Sequence, residues 1–141
     1  MAKSTAKKRI TVSSAKAKGR ELQQQVAALV GELLGMEWGY DTHIAPREMG
    51  QSGTDVRLIG EALKRFPFSV ECKRCESWSV PAWIEQAKKN QLPNTHWLLV
   101  AKRNHKDAVA ILDMKTFFSL LKRIERLKES VNKNIEREKM Q

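Results

Sequence analysis

The segment Trp97–Ala101 restricts the possible folds of this chain more than any other, because it is apolar at every position. A strand with one face in water alternates apolar and polar residues, whereas a strand covered on both faces does not. The segment is far shorter than the ~20 apolar residues that a membrane-spanning helix needs. It therefore predicts a buried strand in a sheet flanked by helices, which is an α/β architecture.

Other helices and strands are predicted on both sides of this segment. Apolar residues from Leu22 to Leu33 recur at helical spacing, and Gly35 provides a stop signal. Residues 55–59 and 66–73 have strand-like patterns and flank a loop that begins at Gly60, which predicts a long hairpin. The complete prediction is a helix over 15–34, strands near 42–45, 55–59 and 66–73, a helix over 80–90, strands over 96–101 and 108–112, and a helix from Lys115. This α-β-β-β-α-β-β-α order predicts one domain with a mixed central sheet flanked by helices.

Charge indicates the kind of partner. The 141 residues include 26 Lys and Arg against 16 Asp and Glu, a net charge of +10, which favours polyanions. Residues 1–14 are predicted to be a flexible basic arm, 15–127 the main domain, and 128–141 a charged extension of the last helix. A solubilising terminus would show the same composition as the arm, and basicity alone does not separate DNA, RNA and acidic membranes. The predicted DNA-binding residues are Lys7, Lys8, Arg9, Lys16, Lys18, Arg20, Arg74, Lys88 and Lys89.

The N-terminus has no apolar stretch of the kind that follows the basic region of a signal peptide. We therefore expect a cytoplasmic protein without a membrane partner. The sequence contains 41% hydrophobic residues, which is enough for a packed core.

Three charged residues, Asp55, Glu71 and Lys73, form the candidate reactive group. Residues two apart on a strand point to the same face, so Glu71 and Lys73 project together, and the predicted hairpin brings Asp55 close to them. Neighbouring carboxylates repel each other unless a cation joins them, and Mg²⁺ prefers oxygen ligands. A lysine beside such a cation can orient water or stabilise a phosphoryl transition state, so the group predicts metal-assisted phosphodiester hydrolysis. A cross-strand salt-bridged group on a solvated face would have the same pattern.

The pair Cys72 and Cys75 is not predicted to be a zinc or redox site. Zinc would need two further ligands at suitable spacing, and a redox pair usually lies at the start of a helix. We expect reduced thiols.

With these residues in this order, the sequence resembles the restriction-endonuclease-like, or PD-(D/E)xK, nuclease superfamily over about residues 18–121. Asp55 stands at the first acid of that motif, Glu71 at the second and Lys73 at the lysine, although Thr54 replaces the usual proline. Glu21 in Gly19-Arg20-Glu21-Leu22 matches a helix-borne acid, and Gln86 matches a polar residue of the next helix. The resemblance implies catalytic roles for Glu21, Asp55, Glu71, Lys73 and Gln86. It also implies a Mg²⁺ site, in which Mn²⁺ would substitute, made by Asp55, Glu71, the Cys72 carbonyl and Glu21 in the outer shell.

The short length, the Lys-Gly-Arg-Glu start and the Glu-Cys-Lys-Arg strand are most similar to archaeal-type Holliday junction resolvases, especially small phage-encoded ones. This resemblance implies a homodimer that cuts four-way DNA junctions in a bacterial, archaeal or phage-infected cell. Two alternatives remain open: the same chemistry on linear, nicked or flapped DNA in repair or restriction, and a non-enzymatic basic nucleic-acid-binding protein. Candidate dimer residues on the last helix are Ile124, Leu127, Val131 and Ile135, and a dimer formed through the edge of the sheet is equally compatible with the sequence.

Overall fold

The computed structural model describes residues 11–48 and 52–141. Its elements are, in order, α1 (Val12–Leu34), β1 (Ile44–Pro46), β2 (Val56–Leu58), α2 (Gly60–Arg65), β3 (Phe68–Arg74), α3 (Val80–Lys89), β4 (His96–Lys102), β5 (Val109–Leu112) and α4 (Met114–Lys139). The chain divides into two compact units after Ile111, so the second unit consists mainly of α4. The predicted α/β class is confirmed.

The strands form two sheets rather than one. β4 lies at the centre of a three-stranded mixed sheet, between β3 and β5. β3 and β4 are parallel, with Phe68 opposite His96 and Arg74 opposite Lys102. β1 and β2 form a separate antiparallel pair in which Ile44 lies opposite Leu58. The mixed sheet was predicted, whereas its separation from the β1–β2 pair was not.

β4 is apolar on both faces because each face meets a different helix. On one face, Trp97 and Leu99 pack in a cluster with Ala87 of α3. On the other, Leu98 and Val100 line a cleft together with residues of α1. The prediction of a strand covered on both faces is confirmed.

α1 begins earlier than predicted and ends where predicted. The Thr11 side chain accepts a hydrogen bond from the Ser14 N–H at 3.2 Å and caps a helix that starts at Val12. Residues 12–14, predicted to belong to the basic arm, are therefore helical, since a threonine at the N-cap satisfies an amide that has no partner within the helix. At the other end, Gly35 adopts the left-handed conformation with φ of 65°, which a glycine tolerates without strain.

The predicted hairpin over 55–73 is wrong, because the residues between the two strands form α2 and β2 pairs with β1. Ala62 of α2 is fully buried, which gives this short helix a packed side that the expected loop would lack. The segments predicted to pair still make contact at Asp55, whose N–H donates to the Val70 carbonyl at 2.8 Å. Asp55 therefore reaches β3 through this contact instead of a hairpin ladder.

α4 begins one residue before the predicted start. The Asp113 side chain accepts from the Lys115 N–H at 2.8 Å and caps the helix. The helix continues without interruption to Lys139, through most of the residues predicted to be its charged extension. Of the helices in the described ranges, none combines the length and apolar character needed to cross a membrane.

A buried polar cluster connects β3 to the loop before β4. The Thr95 hydroxyl donates to the Leu92 carbonyl at 2.6 Å, so its single proton is used there. The Ser69 hydroxyl, 2.7 Å away, therefore donates to Thr95 while accepting the Leu92 N–H at 2.9 Å. Ser69 thus satisfies two buried groups at once.

Ser69→Ala should destabilise the protein by about 1–3 kcal/mol, because the Leu92 amide would lose its acceptor inside the structure. Denaturant unfolding followed by circular dichroism measures this loss. Ser77→Ala, at an exposed position, is the matched control and should change stability by less than about 0.5 kcal/mol. Equal effects of the two substitutions would contradict the role given to Ser69.

Candidate carboxylate–lysine site

β3 presents Glu71 and Lys73 on the same face, as predicted. The Lys73 Nζ lies 3.5 Å from Oε1 of Glu71. The same ammonium donates to Oε1 of Gln86 on α3 at 2.7 Å. The side chain of Glu71 is only 4% exposed and that of Lys73 24% exposed, so the pair lies at the border between core and solvent. Glu71, Lys73 and Gln86 are therefore brought together.

Asp55 adds a second buried carboxylate. It is 3% exposed, and its Oδ2 accepts the backbone N–H of Cys72 at 2.7 Å. Its Oδ1 lies 3.1 Å from Nη2 of Arg47, whose other terminal nitrogen donates to the Gly53 carbonyl at 3.1 Å. Each carboxylate oxygen has more than one acceptor position, so Asp55 keeps capacity for a further ligand. The contact with Cys72 places Asp55 one residue from Glu71 along β3.

The surroundings of Glu71 disfavour its ionised form. Burial raises the pKa of this carboxyl most, and the negative charge of Asp55 raises it further. Lys73 and a hydrogen bond from Asn90 lower the pKa but do not reverse the shift. An ionised Glu71 in the folded protein therefore lacks full compensation by the surrounding protein groups.

These residues fit a Mg²⁺ ion of the kind that is bound by few protein oxygens. Nowhere in the described ranges do three or more His, Cys, Asp or Glu side chains gather as a metal site. Mg²⁺ is commonly held by one or two carboxylates together with water and substrate phosphates, so a pair such as Asp55 and Glu71 is compatible with such a site. Metal coordination by the backbone carbonyl of Cys72 stays a prediction.

Comparison with known proteins adds no information about this site. No protein-family model, curated protein or solved structure matches the chain.

Glu21 lies with a different partner. Its Oε2 is 3.8 Å from Nη1 of Arg74, a residue that alternates with Lys73 along β3 and so belongs to the opposite face of the strand. The structure therefore groups Glu21 with Arg74, and not with the carboxylate pair to which the resemblance assigned it.

Both cysteines are free thiols, as expected. Cys72 is half-buried, and burial, followed by the negative charges of Asp55 and Glu71, raises the pKa of its thiol. A thiol with a raised pKa is a poor nucleophile and a poor metal ligand.

The predicted DNA-binding residues are distributed over several places. Lys16, Lys18 and Arg74 line one cleft, and Lys18 also donates to Oδ1 of Asn104 at 3.0 Å. Lys88 lies 3.7 Å from Glu85 on the exposed side of α3. Arg20 and Lys89 are exposed. The remaining three, Lys7, Lys8 and Arg9, lie outside the described residues.

Sequence reasoning missed Arg47 and Asn90. Asn90 lies one helical turn after Gln86 and donates to Oε2 of Glu71 at 3.4 Å, so the i, i+4 spacing was a usable signal. Arg47 offered no such signal, because it lies beside Asp55 through the antiparallel pairing of β1 with β2, where its N–H donates to the Asp55 carbonyl at 2.8 Å.

In metal-free solution, Glu71→Gln should raise the unfolding temperature at neutral pH. Because the pKa of Glu71 is raised in the folded state, the folded protein binds this proton more tightly than the unfolded chain does. Stability therefore falls as the pH rises from the unfolded-state pKa of Glu71 through its folded-state pKa. The gain from Gln should therefore shrink as pH falls and wild-type Glu71 becomes protonated.

Scanning calorimetry over a pH series in EDTA measures this effect. Glu85→Gln removes one carboxylate from an exposed position and serves as the control, with little expected change. A Glu71→Gln protein that is less stable than the wild type at neutral pH would contradict the pKa direction.

Proposed function

We propose that this chain is a Mg²⁺-dependent DNA endonuclease that hydrolyses phosphodiester bonds in branched DNA, in the manner of a Holliday junction resolvase. The observation that supports it best is the buried pair Asp55 and Glu71 beside Lys73, in a chain of net charge +10. The arrangement of Glu71, Lys73 and Gln86 is also the one that the resemblance to PD-(D/E)xK nucleases implies.

A purely structural role explains the carboxylate pair poorly. Buried carboxylates in a basic protein weaken its attraction for polyanions unless a cation lies between them and the phosphate. The raised pKa of Glu71 means that its ionised form costs folding stability. Residues that cost stability in this way are characteristic of functional sites. These two arguments favour an enzyme over a non-enzymatic binding protein.

In the proposed mechanism, Asp55 and Glu71 would hold Mg²⁺, which would supply Lewis-acid stabilisation to the reacting phosphodiester. The backbone N–H of Cys72 fixes the orientation of Asp55. The Gln86 carbonyl oxygen and Glu71 position the Lys73 ammonium, whose charge stabilises the phosphoryl transition state or orients the attacking water. Asn90 orients Glu71 by donating to its second oxygen.

A junction substrate requires two active sites at a fixed separation, hence a symmetric dimer. The residues of α4 proposed for its interface share one property: they are apolar, exposed and spaced three or four residues apart. They are Ile124, Leu127, Val131 and Ile135. An exposed apolar stripe of this length is typical of a surface that contacts another protein.

Asp55→Ala and Lys73→Ala should each reduce Mg²⁺-dependent cleavage of a labelled four-way junction at least about 100-fold, since each removes a charge at the reacting phosphate. Denaturing gels of the reaction products measure the rate, with a linear duplex of the same sequence run beside the junction. Lys64→Ala, at an exposed position on α2, is the matched control and should retain cleavage.

Cleavage that survives both substitutions would contradict the site. Equal cutting of junction and duplex would support the alternative of a nuclease for linear DNA. Excess EDTA should abolish cleavage by the wild type.

Ile124→Glu combined with Val131→Glu should convert the proposed dimer into a monomer, because charge would replace apolar area in the contact. Sedimentation velocity measures the change. Ser130→Glu adds a charge beside the stripe at an exposed position and should leave the dimer intact. A wild-type protein that sediments as a monomer at all concentrations would contradict a dimeric resolvase.

A further inference from the structure

Arg74 has an unusual environment for an arginine. Its side chain is 11% exposed, and its Nε and Nη1 atoms are buried without a hydrogen-bond partner among the described residues. The nearest carboxylate oxygen, Oε2 of Glu21, is 3.8 Å from Nη1, which is beyond hydrogen-bond distance. A guanidinium buried with unsatisfied donors is costly, so this arrangement calls for an acceptor that completes it.

The surroundings of Arg74 select an anion as that acceptor. Arg74 lines an open cleft of about 530 Å³ together with Lys16 and Lys18 of α1. The one carboxylate of the lining, Glu76, already accepts the Asn104 N–H at 2.7 Å. The first turn of α1, which also lines the cleft, contains no acidic residue, so the positive end of the helix dipole is not offset there. The cleft is therefore lined by three cationic side chains and by one carboxylate that already accepts a hydrogen bond.

The chemistry of these cations fits a phosphodiester. The planar guanidinium of an arginine can bind two phosphate oxygens at once, whereas lysines act as adjustable point charges. In sequence, the residues just before Thr11, which lines the cleft, include three further cations, Lys7, Lys8 and Arg9. A sequence with this many cations in and next to the cleft-lining segment favours an extended polyanion over a single free phosphate ion.

We propose that the Arg74 cleft, defined as the space lined by Lys16, Lys18 and Arg74, binds a backbone phosphate of the DNA that the carboxylate site cleaves. The proposal rests on the nuclease function proposed above. Arg74 and Lys73 are adjacent on β3, so their side chains project from opposite faces of one strand. The strand thereby joins a cleavage site on one face to a phosphate anchor on the other, and Arg74 is a substrate-positioning residue.

Substitution of Glu21 should change DNA binding in the direction opposite to substitution of Arg74. Its carboxylate is the acid closest to Arg74, and its side chain is 59% exposed. If Arg74 binds phosphate, removal of this negative charge strengthens DNA binding. If the ion pair with Glu21 is the whole purpose of Arg74, removal does not strengthen it.

The experiment measures binding of a labelled four-way junction and a linear duplex to the full chain by fluorescence anisotropy in EDTA, over a range of salt concentrations. Arg74→Gln should weaken binding about 10-fold or more and should reduce the salt slope by about one phosphate contact. Lys16→Gln should have a smaller effect in the same direction, Arg74→Lys should recover part of the loss, and Glu21→Gln should tighten binding. Lys64→Gln, an exposed change of equal charge on α2, is the matched control.

The proposal is overturned if Arg74→Gln and Lys16→Gln bind with the same affinity and slope as Lys64→Gln. Should Arg74→Gln fail to fold, Lys16→Gln and Glu21→Gln decide, because both change exposed side chains. A second arm titrates inorganic phosphate and follows the unfolding temperature. Phosphate could raise the unfolding temperature only when Arg74 is present, while Arg74→Gln leaves the salt dependence of DNA binding unchanged. That result would assign the cleft to free phosphate and overturn the proposal for DNA.

Binding is measured without Mg²⁺, so its outcome is separate from cleavage. A chain that depends on Arg74 for binding but cuts no DNA would contradict the proposed function alone. A protein that cuts DNA but binds it equally well without Arg74 would contradict only the phosphate-binding role proposed for the cleft.

Discussion

The parallel pairing of β3 with β4 is the constraint on which the rest of this structure depends. Because β3 is held residue by residue from Phe68 to Arg74, each of its side chains has a fixed face. The face towards α3 receives Ser69, Glu71 and Lys73, and the other receives the alternating residues that end at Arg74. A slip of one residue in this register would exchange the two sets and place the carboxylate among the residues packed against α1.

The two faces separate charges that would otherwise cancel. Glu71 and Lys73 lie against α3, where Gln86 and Asn90 limit their orientations. Arg74 lies on the opposite face, near α1. The carboxylate pair, proposed to bind a divalent ion, and the Arg74 cleft, proposed to bind phosphate, are therefore separated by the backbone of one strand.

The sequence indicated some of these features because they follow short periodicities. A period of two placed Glu71 and Lys73 together, whereas Gln86 was indicated only by the resemblance to a nuclease superfamily. The hairpin prediction failed because pairing between strands is a long-range choice that a local pattern does not encode, and α2 took the place of a loop. The separation of Glu21 from the carboxylate pair also depends on how α1 packs, which the spacing of its apolar residues leaves undetermined.

The position of Arg47 affects whether the protein can fold without a bound ion. Its guanidinium lies 3.1 Å from Asp55, and Lys73 lies 3.5 Å from Glu71, so each buried acid already has a cation of the protein beside it. Small metalloproteins often remain unfolded until their ion arrives, because their ligands repel one another in its absence. Here Arg47 and Lys73 reduce that repulsion, so the native state does not require a bound ion to hold the two acids close together. Folding of the protein is then independent of the ion proposed for the carboxylate site.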